Sequence, residues 1–125
     1  MKLHHIGIAT ENIEETVALL QKKMSIKIVG ETVYDPLQDG YLCMLEMEDG
    51  SLIELISGNV VKTYLKKRIF QYHTCYEVDN LDETVNLWTS NGAMLVSEPK
   101  EAVLFANKRV AFVLSEIGLI EFVEN

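Results

Sequence analysis

Four side chains able to bind a metal or move a proton recur at matched positions in this sequence. An offset of 68 residues lays His73 over His5, and an offset of 67 lays Glu121, in LIEFVE (119–124), over Glu54, in LIELIS (52–57). Two imidazoles and two carboxylates form a donor set that suits zinc, nickel, cobalt, manganese or iron better than calcium or magnesium. Each residue alone is weak evidence: a single histidine at the start of a strand is usually structural or solvated, and a single strand glutamate is usually an edge charge. Their recurrence in both halves distinguishes them. A glutamate between apolar neighbours is costly to bury as a bare carboxylate. No arginine of matching parity lies nearby in the sequence, whereas one divalent cation would satisfy both glutamates.

The elements that must position these residues repeat as well. Residues 4–20 lie over 72–88, with Asn12 on Asn80, Glu15-Thr16-Val17 on Glu83-Thr84-Val85, and Leu19 on Leu87. The spacing predicts a strand over 4–10, a helix over 13–24 and strands over 26–33, 41–47 and 51–57. The helix places Ile13, Val17, Leu20 and Met24 on one face. Asn12 is its expected N-cap, with Glu15 placed for a capping box, and Asn80 and Glu83 repeat the pattern. Glu48-Asp49-Gly50 makes the hairpin turn. In the second half, strands are expected over 93–96, 108–114 and 119–123, with a turn at 115–118. The expected organisation is one domain of two βαβββ repeats, about 1–57 and 71–125, joined by a linker over 58–70 with a helix near 60–67. The fold class is α+β, a curved mixed sheet around a metal-binding cleft.

Strand alternation then assigns faces. Ile6, Ile8, Ile53 and Leu55 should face the first helix, leaving His5, Gly7, Ala9 and Glu54 on the opposite side. Thr74, Tyr76, Ile120 and Phe122 should face the second helix, leaving His73, Cys75 and Glu121 opposite. His4 falls on the helix side and reads as structural or surface. Cys75 reads as a small residue that leaves room for a ligand, and Met44, Met47 and Met94 as core packing.

Composition narrows the function. The chain has 125 residues, 48% of them hydrophobic, enough for a core of one domain. Nineteen acidic against eleven basic residues give a net charge of −8, which argues against a nucleic-acid partner. Lys66, Lys67 and Arg68 form the one basic run and read as a solvated helix end. Cys43 and Cys75 make no metal or redox spacing. The sequence shows no signal peptide and no membrane span, so a cytoplasmic protein with reduced thiols is expected.

The motifs HHIGIAT (4–10), LIELIS (52–57), YHTCYEVDN (72–80) and RVAFVLSEIGLIEFVE (109–124) resemble the vicinal oxygen chelate superfamily over nearly the whole chain. They look closest to its glyoxalase I and methylmalonyl-CoA epimerase branch. The resemblance implies one divalent ion on His5, Glu54, His73 and Glu121, and a lyase or isomerase that moves a proton at a carbon next to a carbonyl. Glu121 is the expected base and Glu54 the second carboxylate. A thiol adduct or CoA thioester is the expected substrate class, and a homodimer the expected assembly. Ser115-Glu116-Ile117-Gly118 departs from the Asp-Pro-Asp-Gly turn of many glyoxalases, and 98–107 matches no substrate-binding pattern. Two other classes stay open: a metal-free ligand- or drug-sequestering protein of the bleomycin-resistance type, and an extradiol-type dioxygenase.

Overall fold

The structure, a computed structural model, describes all 125 residues. Their contacts group into two units, one of His5–Tyr72 and one of His73–Asn125 with Met1–His4. The first strand and the start of the sixth therefore divide between the units at the histidines themselves.

The first unit contains β1 (Lys2–Ala9, from His5 onward), α1 (Ile13–Gln21), β2 (Ile26–Val29), β3 (Val33–Asp35), β4 (Gly40–Met47), β5 (Leu52–Gly58) and, after a 3-10 turn at Asn59–Val61, the short α2 (Lys62–Lys66). Its strands run in the order β2-β4-β5-β1, with β3 also on β4. β1 and β5 are parallel, and the other pairs are antiparallel. The core lies between the sheet and α1: Ile13, Cys43, Leu45, Met47 and Leu55 are buried there, with Ile8, Val17 and Leu20 packed against them.

The second unit contains most of β6 (Gln71–Val78), α3 (Leu81–Ser90), β7 (Met94–Glu101), a 3-10 turn at Val103–Phe105, β8 (Arg109–Ser115) and β9 (Gly118–Glu124). Its order, β6-β9-β8-β7, repeats that of the first unit, again with one parallel pair, β6 on β9. Leu81, Val85, Ala111, Val113, Ile120 and Phe122 form its core beneath α3. The expected α+β class is thus observed, and a strand, a helix and antiparallel strands follow one another in both units.

Several boundaries differ from expectation for local reasons. The strand expected over 26–33 is two strands. Gly30 breaks it, because its N–H bonds Met44 O at 2.8 Å and a Cβ there would stand 2.7 Å from the same oxygen. α1 ends at Gln21, so Met24 lies beyond the helix. β7 runs on through Glu101 past Pro99, where a strand of four residues was expected. It lies at the end of its unit's strand order, and its register shifts on both sides of Ser97, which is where a proline is tolerated in a sheet. Both helix caps form as expected: Asn12 Oδ1 accepts the Glu15 N–H at 2.9 Å, and Asn80 Oδ1 accepts that of Glu83 at 3.0 Å. The reciprocal half of the first capping box goes elsewhere, since the Asn12 N–H donates to Thr10 Oγ1 at 3.3 Å.

Candidate metal centre

In the first unit, Gly7 on β1 pairs with Glu54 on β5. His5 precedes Gly7 by two residues and so projects on the face that carries Glu54. Its Nε2 stands 3.7 Å from Glu54 Oε1, and the two side chains are 0% and 5% exposed. In the second unit, Cys75 on β6 pairs with Glu121 on β9, and His73 again precedes the paired residue by two. Its Nε2 stands 3.3 Å from Glu121 Oε1, with side chains 1% and 4% exposed. The structure therefore brings His5 to Glu54 and His73 to Glu121 through one register used twice.

These separations exceed the 2.7–2.9 Å of a charge-assisted hydrogen bond. They lie close to the roughly 3 to 3.6 Å expected between two donors that are each about 2.1 Å from one ion. The donor chemistry, an imidazole nitrogen and a carboxylate oxygen in each pair, fits a divalent transition metal. Burial adds to the argument, because a carboxylate removed from water needs a counter-charge.

The third strand of each unit distinguishes the two pairs. Met44 on β4 stands opposite Glu54, and Phe112 on β8 opposite Glu121. The Phe112 ring packs against the His73 imidazole with centroids 5.5 Å apart at 86°, which restricts that ring's rotation. Met44, expected as core packing, is half-buried on the face that carries Glu54. Met94 is 65% exposed and also departs from the core assignment, whereas Met47 is buried in the core as expected.

His4 is placed differently from expectation. Its Nε2 is 3.8 Å from Glu77 Oε1, and its ring packs edge-on to Phe105. Phe105 covers Cys75, Ala102, Val110 and Val123, on the sheet face opposite α3. The start of β1, Met1–His4, groups with the second unit. Cys75 was expected to leave room for a ligand, but it is wholly buried in that apolar cluster. The basic run is exposed beyond α2, as expected of a solvated helix end.

Sequence reasoning missed one device. Arg109 donates to Glu124 through Nε at 3.2 Å and Nη2 at 3.0 Å, and Nη2 also donates to Asp82 at 3.0 Å. Glu124 accepts the Leu81 N–H at 3.0 Å as well. The network ties the start of α3 to the end of β9, the strand that carries Glu121. Its members are 15 to 43 residues apart, so no local pattern announces it. Arg109, and then the Leu81 N–H, hold the Glu124 carboxyl below its usual range. A carboxylate with a lowered folded pKa stabilises above its unfolded value and loses that contribution as pH falls through the folded one. Arg109→Gln should therefore lower the melting temperature at pH 7, and the gap from wild type should close as pH falls below the normal carboxylate range. An equal gap at pH 7 and pH 2.5, measured by thermal circular dichroism, would show that the ion pairs contribute nothing.

Comparison with known proteins agrees with this architecture. The chain is similar in structure to methylmalonyl-CoA epimerase from Mycobacterium tuberculosis, with a TM-score of 0.83, 23% identity, and coverage of 98% of this chain and 87% of that one. A second methylmalonyl-CoA epimerase gives a TM-score of 0.76 at 16% identity, covering 99% and 94%. A hypothetical protein from Bacillus halodurans C-125 gives 0.74 at 24% identity, covering 99% and 94%. At these identities the likeness is one of fold. No curated protein matches the chain by sequence. The family model described as glyoxalase/bleomycin resistance protein/dioxygenase superfamily matches residues 4–112, and the chain belongs to that superfamily.

Proposed function

We propose that His5, Glu54, His73 and Glu121 together hold one divalent metal ion, and that the protein is a metal-dependent enzyme moving a proton at a carbon next to a carbonyl. The observation that carries this reading is the buried His–Glu pair built at equivalent register positions in both units. When bound, the ion supplies Lewis-acid polarisation of the substrate carbonyl, which acidifies the adjacent C–H bond. His5 and His73 bind and orient, and Phe112 keeps water from the His73 side. Glu121 accepts the proton from carbon, and Glu54 is the second carboxylate that holds or returns it. Return to the opposite face of the same carbon gives epimerisation, and return to the neighbouring carbon gives a glyoxalase-type isomerisation. The fold-level likeness to methylmalonyl-CoA epimerases favours a CoA thioester over a thiol hemithioacetal as substrate. Within this reading the protein is a homodimer acting in the cytoplasm, and Cys43 and Cys75, which form no disulfide, suit such a reducing compartment. None of the helices is long and apolar enough to cross a membrane.

Elemental analysis of the purified protein after exposure to zinc, nickel, cobalt and manganese should find about one ion per chain. His5→Ala and His73→Ala should each lose it, and His4→Ala should keep it. Protein that takes up none of the four metals would remove the centre and leave a ligand-sequestering role.

A further inference from the structure

The repeat makes the two ligand-bearing faces directly comparable, and they differ in one row. Two residues before Glu121 stands Leu119, which pairs with Leu114 on β8, which in turn pairs with Met94 on β7. Ile120 and Val113, the alternate positions, lie in the core under α3, so this row shares the face of Glu121 and Phe112. It is apolar throughout and open to solvent: Met94 is 65% and Leu114 46% exposed. The corresponding row of the first unit is Leu52, Glu46 and Ile28, where Glu46 stands 3.7 Å from Lys27 Nζ. In the other direction from Glu121 the face is closed, because Phe105 lies over Val110 and Val123.

We propose that the row Met94–Leu114–Leu119 is a substrate subsite that seats an apolar branch of the carbonyl substrate, and so sets its specificity. The inference rests on the reading of Glu121 and His73 as metal ligands. An exposed apolar row continuous with a buried polar pair is what a substrate with one charged or chelating end and one alkyl end requires. The row begins roughly 7 Å along the strand from Glu121, within reach of a short alkyl chain on the reacting carbon. A polar residue at the Leu114 position should abolish the preference.

The test uses the cobalt-loaded protein and the series pyruvate, 2-oxobutyrate and 2-oxovalerate, with binding read from the cobalt absorption spectrum. Affinity in the wild type should rise about fourfold per added methylene. Leu114→Glu, at an exposed position that leaves the core intact, should flatten that rise. Glu46→Leu should leave the rise as it is. A wild-type rise that Leu114→Glu leaves intact overturns the subsite and spares the metal centre. If the variant also turns a dimer into a monomer in sedimentation, the row is a subunit interface and the subsite is equally overturned. A protein that takes up no cobalt overturns the metal centre, and the subsite with it.

Discussion

Glu121→Gln should lower turnover by at least a hundredfold while retaining part of the metal affinity. A positioned general base contributes roughly 10²- to 10⁴-fold. The glutamine amide oxygen can still coordinate, but it cannot accept a proton. The replacement is nearly isosteric in a site where Glu121 is buried between β6 and β8, so the fold should survive it. The measurement is exchange of the α-carbon hydrogen in heavy water, with methylmalonyl-CoA and with the hemithioacetal of methylglyoxal and glutathione as candidate substrates. Metal content is read on the same samples. Glu54→Gln should cost less, because Glu54 is the second carboxylate of the proposed mechanism rather than its base. If Glu121→Gln exchanges the hydrogen at the wild-type rate, the base is another group. If both variants lose the ion outright, the two carboxylates are ligands first and the proton acceptor lies elsewhere. Oxygen uptake with a catechol would instead place the protein with the dioxygenases.

Removing the metal should lower the melting temperature by roughly 15 °C when the ion had been present at about a thousand times its dissociation constant, an excess that contributes about 4 kcal/mol. Glu54 and Glu121 are 4% and 3% exposed. Without the ion, both carboxylates stay buried and have lost its counter-charge. Glu54→Gln should therefore soften the loss, because an amide is cheaper to bury than a carboxylate. The experiment is differential scanning calorimetry with and without EDTA, with metal analysis to verify removal. An unchanged midpoint after complete removal would mean that the protein meets the cost of those glutamates by some means other than the ion.

The sequence alone determined the repeat, the caps at Asn12 and Asn80, and the faces of the four ligand-type residues. These follow from short-range rules: a strand alternates sides every residue, and a cap acts within three residues. The proposed donor set rests on the same rules, since two matched histidines and two matched glutamates needed only parity and recurrence. Tertiary structure decided what depends on a neighbouring strand. Gly30 splits β2 from β3 because Met44 O approaches it, and nothing adjacent to Gly30 in the sequence reports that approach. β7 extends through Pro99 because its register can shift at the end of the strand order, so a residue that argues against a central strand is accepted there. His4 meets Glu77 and Phe105, contacts that parity within the first repeat does not report, because the start of β1 groups with the second unit. Arg109, Asp82 and Glu124 meet across three elements, and Met94, Leu114 and Leu119 align across three strands. Those juxtapositions are set by strand order and register, and both are properties of how distant segments pair.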